Sequence, residues 1–206
     1  FGDIFAGYIA KRMGLPIDRL VVATNQNDIL HRCLSGQGYH KGETSPSISP
    51  SMDIQVSSNF ERALFDAYDR DGNAVSKLMD ELKQGGFDVN QDAMEVLQSH
   101  FDSGRASEEE TSSTITETLK SSGELLCPHS AIGVKVANDK PASETPMITL
   151  ATAHPAKFPD AVEAASGIRP PLPERMADLY ERDERVTRIA NNLDALKDHI
   201  KGNIRQ

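Results

Sequence analysis

The stretch Arg19-Leu20-Val21-Val22-Ala23-Thr24 constrains the fold more than any other part of the chain. It is a short, continuous apolar run that ends in polar residues, which reads as a strand of a parallel sheet buried on both faces. What precedes it fixes its context. Phe1 to Gly14 reads as a glycine-bearing turn opening into an amphipathic helix: Gly2 permits close approach or positive φ, Asp3 is a good N-cap residue, and Ile4, Phe5, Tyr8, Ile9 and Met13 recur at three- and four-residue spacing. Gly14 and Pro16 stop it. A helix feeding such a strand is the second part of a β-α-β unit. The fold class expected is therefore α/β, an open and mostly parallel sheet with flanking helices.

In such a sheet the chemistry collects where strands end. A helix that starts at a glycine turn directs unpaired N–H groups and a partial positive charge at what lies before it, a setting suited to phosphate and equally found in plain core helices. Asn25, Gln26, Asn27 and Asp28 follow the first strand at its carboxyl end, where ligand sites of α/β proteins form. The amides of Asn25 and Asn27 suit turn and cap chemistry as well as a site. Met147-Ile148-Thr149-Leu150-Ala151-Thr152 reads as a second buried strand, followed by Ala153-His154-Pro155-Ala156-Lys157-Phe158. Both strand ends are expected at one sheet edge. There the helix N–H groups, the Thr152 hydroxyl, the His154 imidazole and the Lys157 cation make a pocket for a phosphate ligand.

Between these segments the pattern changes. Residues 35–51 are rich in Gly, Ser and Pro and read as a long surface loop, and Ser51 to Val56 is open between strand and helix entry. Residues 58–122 carry helix signals almost exclusively: a Ser58-x-x-Glu61 capping box, a break at Asp71-Gly72-Asn73, an Asn90 cap with Leu97 and Phe101 on the stripe behind it, and a Ser107-x-x-Glu110 capping box. Cys127 to Ala137 is compatible with a strand or with a helix entered at Pro128. Pro159 opens a helix closed by Gly167, and Arg169 to Pro173 is extended. A last helix is expected to pack through Val186, Ile189, Leu193, Leu196 and Ile200. The expected division is residues 1–57 as part of an α/β domain, 58–122 as a helical subdomain, 123–170 as the return to the α/β domain, and 171–206 as a C-terminal helical segment.

Composition excludes several classes. A net charge of -9 argues against a nucleic-acid or anionic-membrane surface, and no apolar run approaches membrane-spanning length. The two cysteines, Cys33 and Cys127, have no metal-type spacing, which fits a reducing, cytoplasmic compartment. Asp69 to Asn73 has a misplaced glycine for a calcium loop, and the histidines have no metal-ligand spacing, so no metal is expected.

Four motifs then carry a resemblance. Phe1-Gly2-Asp3-Ile4-Phe5-Ala6-Gly7-Tyr8, Ala23-Thr24-Asn25-Gln26-Asn27-Asp28-Ile29, Ser51-Met52-Asp53-Ile54 with Ser58-Asn59-Phe60-Glu61-Arg62, and above all Ala151-Thr152-Ala153-His154-Pro155-Ala156-Lys157-Phe158 resemble threonine synthases. The match runs in order along most of the chain and is weakest over the helical block from Asp69 to Ser122. The family depends on pyridoxal 5'-phosphate, adopts the fold type similar to the tryptophan synthase β subunit (fold type II), and converts O-phospho-L-homoserine and water to L-threonine and phosphate. The resemblance implies that Phe1, Gly2 and Asp3 are the last three positions of the family's cofactor-phosphate loop, with the Asp3 carboxylate turned away from the dianion. It implies that the Thr152 hydroxyl meets the cofactor's pyridine nitrogen. It makes His154 and Lys157, and more weakly Asn25 and Asn27, candidates for substrate binding.

The family's cofactor-anchoring lysine sits in a Phe-Lys-Asp setting, and no lysine of this sequence has it. The expectation is a C-terminal portion of a lyase, catalytically incomplete without an upstream part of the same protein that carries that lysine. Phe1 in place of an initiator methionine, inside the loop motif, points the same way. The alternatives are a non-catalytic threonine-synthase-like protein that binds pyridoxal phosphate or another phosphate ligand, and a scaffold segment whose site is unformed.

Overall fold

The first helix starts where its backbone allows rather than where its best cap sits. In the computed structural model, which describes residues 1–204, α1 runs Gly2–Arg12 with Phe1 at the N-cap and no side-chain cap. The Phe5 N–H already reaches the Phe1 carbonyl at 2.9 Å, so the helix begins before Asp3, which lies in the first turn instead of capping it as expected. At the other end Gly14 takes φ +103°, a conformation other residues avoid, and the Leu15 N–H closes on the Ala10 carbonyl at 3.0 Å.

The remaining helices and strands are β1 (Leu20–Thr24), α2 (Ile29–Leu34), β2 (Tyr39–His40), α3 (Phe60–Ala67), α4 (Gly72–Lys83), β3 (Gly86–Phe87), α5 (Gln91–His100), β4 (Phe101–Arg105), α6 (Glu108–Ser122), α7 (Pro128–Asn138), α8 (Pro159–Ser166) and α9 (Leu193–Asn203). The architecture is mixed helix and sheet. β1 pairs parallel with β4, from Leu20 opposite Phe101 to Thr24 opposite Arg105, and β2 pairs antiparallel with β3. The parallel sheet thus has two strands among the described residues. No helix is long and apolar enough to cross a membrane among them.

β4 lies inside the block whose signals are almost exclusively helical, and Phe101 is its first residue rather than the end of a helical stripe. Its sequence, Phe-Asp-Ser-Gly-Arg, has poor intrinsic strand preference, and tertiary packing overrides that preference. Gly104 is the key: a Cβ there would stand 2.6 Å from Val136 Cγ1, so only glycine lets α7 settle on the strand. Cys127–Ala137, open between two readings, is helical, with Pro128 at its first position.

Three expected helix starts form. Asp71 accepts from the Asn73 N–H at 2.8 Å, Asn90 accepts from the Ala93 N–H at 2.8 Å, and Ser107 and Glu110 make the reciprocal capping box. The Ser58–Glu61 box does not form, because α3 starts later, behind Asn59. The core of this region is aromatic. Tyr39 stacks on Phe60 and Phe87 with ring centroids 5.2 and 5.0 Å apart, all three being at most 2% exposed. Burying each ring contributes roughly 2–3 kcal/mol.

The second expected strand is not one. Met147 to Thr152 is irregular chain that pairs with no strand among the described residues, and Met147, Ile148 and Leu150 are 53, 79 and 55% exposed. A continuous apolar run is buried only when sheet neighbours and covering layers surround it. Here the run is held instead by α7: a Cβ on Gly133 would lie 2.8 Å from the Thr149 methyl, and Ser130 receives the Thr152 N–H.

The chain divides after Pro171, the second unit beginning at Leu172. In that unit α9 contains Leu193, Leu196 and Ile200, whereas Val186 and Ile189 precede it in irregular chain, so the expected stripe is shorter by those two residues.

Candidate functional site

At the start of α1 the first N–H groups have no intrahelical partner, as at any helix N-terminus, and an acidic cap does not cover them. Gly2 is exposed, and a Cβ on it would stand 3.3 Å from Asn59 Nδ2. The Asn59 amide therefore borders the turn, and the missing side chain at Gly2 keeps the approach open. Phe1 is anchored beneath, its ring 5.3 Å from Phe60 and 5.5 Å from Phe101. A rigid aromatic base with free N–H groups above it suits an oxyanion.

Asn25 and Asn27, at the carboxyl end of β1, are 1% and 3% exposed. Asn25 Nδ2 donates to Asp53 Oδ1 at 2.8 Å and to Ser49 Oγ at 3.0 Å. Asn27 Nδ2 donates to the same Asp53 oxygen at 3.0 Å and to the Ser45 carbonyl at 2.9 Å. Asp53 Oδ2 also takes the Ser47 N–H at 2.9 Å. The two amides thus lash the Ser/Pro-rich loop to the strand end, and both face inward. Next to them Asp28 binds Arg32 and Arg105, each at 2.9 Å. Burial pushes its carboxyl up, but the two guanidinium groups outweigh burial and hold it below the usual range.

Thr152 is exposed, and its main chain is pinned: its N–H donates to Ser130 Oγ at 3.1 Å, with the two hydroxyls 3.5 Å apart. Ser130 in turn touches Cys127 Sγ at 3.3 Å, and the Ser130 N–H donates to that sulfur at 3.4 Å. His129 packs its ring 4.5 Å from Phe158 and accepts the Ser51 N–H at Nε2, which joins α7 to the same loop that Asn25 and Asn27 hold. Two residues past Thr152, His154 Nδ1 accepts the Ala156 N–H at 3.1 Å, so the ring proton sits on Nε2, on an exposed side chain. Lys157 is exposed, with Nζ 5.7 Å above the Phe158 ring.

The structure therefore joins Thr152, His154 and Lys157 to the N-terminus of α7 and, through Ser51, to the loop over β1. Phe1, Gly2 and Asp3 form a second group bordered by Asn59. The partners to which the sequence assigns no site role, Cys127, His129, Ser130, Asp53 and Asn59, carry weak signals: Cys127 and Pro128 mark a helix entry, and the rest are ordinary polar residues until the fold assembles them. Among the described residues no group of three His, Cys, Asp or Glu is placed to hold a metal ion.

Comparison with known proteins matches residues 130–200 to a family model described as threonine synthase, C-terminal. A threonine synthase of Pseudomonas aeruginosa is 54% identical over 196 residues, which is 94% of this chain and 42% of that protein. A crystal structure of pyridoxal-phosphate-bound threonine synthase from Brucella melitensis superposes with a TM-score of 0.91 at 52% identity, covering 98% of this chain and 44% of that one. Yeast threonine synthase gives 0.85 at 38% identity, covering 98% and 45%. The chain spans less than half the length of the relatives it matches.

Proposed function

The chain matches the C-terminal portion of threonine synthases, and from that premise we propose that it forms part of a pyridoxal-phosphate-dependent lyase of fold type II. The reaction is the conversion of O-phospho-L-homoserine and water to L-threonine and phosphate. Pyridoxal phosphate, when bound, supplies an electron sink for the amino-acid substrate. In this reading the chain contributes two ends of the cofactor site, and a lysine in an upstream part of the protein supplies the covalent anchor.

The residues present fit that group. The N–H groups at the start of α1, left open by Gly2, receive the cofactor phosphate, and Phe1 fixes the turn on its aromatic base. Asp3 is exposed and does not cap α1, and in this reading its carboxylate turns away from the dianion to bond other donors. The Thr152 hydroxyl meets the pyridine nitrogen as a neutral partner, which leaves the electron sink tuned rather than maximal. His154, with its proton on Nε2, and the Lys157 ammonium address the substrate phosphate. Asn25 and Asn27 act through the loop they hold, since their amides face Asp53 and the Ser45–Ser49 backbone and side chains. Residues 58–122 are mostly helical, but β3 and β4 within them pair with β2 and β1, so in this reading they belong to the cofactor-binding unit rather than to a separate helical subdomain.

The observation that carries the reading is Thr152: an exposed hydroxyl on a rigidly pinned backbone, inside the motif most specific to the resemblance. In the full-length protein Thr152→Val should retain bound cofactor, shift its absorbance band and lower kcat about tenfold or more. Unchanged absorbance and turnover would remove the assignment.

A further inference from the structure

Ser130 and Cys127 are unexplained by the roles above. Cysteine is a poor N-cap, yet Cys127 caps α7, and it is 1% exposed beside Ser130 at 3%. The hydrogen bonds determine what such a cluster can do. Ser130 Oγ accepts the Thr152 N–H at 3.1 Å, so its own proton has two acceptors in reach, Cys127 Sγ at 3.3 Å and Thr152 Oγ1 at 3.5 Å. His129, 9% exposed, uses Nε2 to accept the Ser51 N–H, which puts its ring proton on Nδ1. That nitrogen is buried, has no hydrogen bond to any described residue, and belongs to a residue two positions from Cys127. Burial pushes the Cys127 thiol up, but His129 and Ser130 together outweigh burial and bring it down to about 6, whereas Cys33, buried without such partners, is pushed up to about 12.

We infer that Ser130 and Cys127 are positioning residues for Thr152, fixing its backbone and selecting the direction in which its hydroxyl hydrogen-bonds to a ring nitrogen. This rests on the Thr152 reading and deepens it. When the sulfur is a thiolate, it accepts the Ser130 proton, and Thr152 Oγ1 keeps a free lone pair. When the sulfur is a thiol, the Ser130 proton turns to Thr152 Oγ1 and polarises the Thr152 O–H as a donor, since hydrogen bonds in a chain strengthen one another. Cys127 and Ser130 thus tune the Thr152 contact without touching the ligand.

The test uses full-length protein loaded with pyridoxal phosphate, and the same protein stripped of it. Ser130→Ala should shift the cofactor absorbance band in the same sense as Thr152→Val and lower kcat about tenfold, with KM for the phosphorylated substrate held within about twofold. Ser130→Thr, which restores a hydroxyl, should recover both. In the stripped protein Ser130→Ala should raise the midpoint of the Cys127 thiolate absorbance titration. A Ser130→Ala protein that loses only thermal stability, with band and kcat unchanged, overturns the inference. If that variant does not fold, Cys127→Ser decides, because it keeps a capping oxygen while removing the ionisable sulfur: a shifted band supports the inference and an unchanged one overturns it. Failure of the underlying reading is distinguishable, since then Thr152→Val also leaves the band in place.

Discussion

His129 Nε2 accepts a hydrogen bond from the Ser51 N–H at 3.3 Å, joining segments 78 residues apart in sequence. On one side of this bond stand α7, Ser130 and the pinned Thr152; on the other is the loop that Asn25, Asn27 and Asp53 hold over the end of β1. The polar residues around Thr152 are therefore tied to the β1–β4 sheet through partly buried bonds, which is what a site requiring sub-ångström placement of a hydroxyl needs.

Gly2 tests the phosphate end. Its Cβ would stand 3.3 Å from Asn59 Nδ2, a gap that a methyl group can enter only if the amide yields by a few tenths of an ångström. Gly2→Ala in the full-length protein should weaken pyridoxal phosphate binding modestly. Gly2→Val should weaken it about tenfold or more, roughly 1.4 kcal/mol, because a branched side chain projects over the N–H groups. Fluorescence titration of cofactor-free protein measures both, and equal affinity for all three proteins would count against a phosphate at this turn.

Much of this arrangement was legible from sequence where local chemistry and fold agree. The α1–β1 unit, the helix start after the break at Asp71-Gly72-Asn73, the caps at Asn90 and Ser107, and the helix closed by Gly167 form as their residues dictate. Two strands were misread for opposite reasons. Phe101 to Arg105 has little strand preference, and its pairing depends on Gly104 meeting Val136, a contact that no local pattern reveals. Met147 to Thr152 has strong strand character, but a strand needs a neighbour, and none is supplied among the described residues. The resemblance pointed to Thr152, His154 and Lys157, whereas Ser130 and Asp53 became visible only when distant segments met.

Glu110 gives a pH-dependent prediction with a definite sign. The Ser107 N–H and then Lys135 Nζ hold its carboxyl down to about 2. Its unfolded value is about 4.3, so its contribution is complete above that pH and is lost as pH falls through about 2. The side chain is 47% exposed, and glutamine can still accept the Ser107 N–H. Glu110→Gln should therefore cost no more than about 1 kcal/mol at neutral pH. Urea unfolding at successive pH values should show the gap between the two proteins closing from about pH 5 to about pH 2. A gap independent of pH would show that the carboxylate charge is not involved.

Gly104 and Val136 set how closely α7 sits on β4, and through α7 how Ser130 reaches Thr152. A Cβ at position 104 would lie 2.6 Å from Val136 Cγ1 and 3.2 Å from Cγ2, closer than packed carbons approach, and Val136 is 1% exposed with no room to turn aside. Gly104→Ala should therefore destabilise the protein by about 1–3 kcal/mol through overpacking. Val136→Ala alone should also destabilise it, by removing buried methyl groups and leaving a void. The two together should cost less than their sum, because the added methyl fills space that the valine vacates. That coupling, about 1 kcal/mol or more in a double-mutant cycle of urea unfolding, distinguishes a direct contact from two independent lesions. Additive losses would mean that some other neighbour holds α7 against the strand.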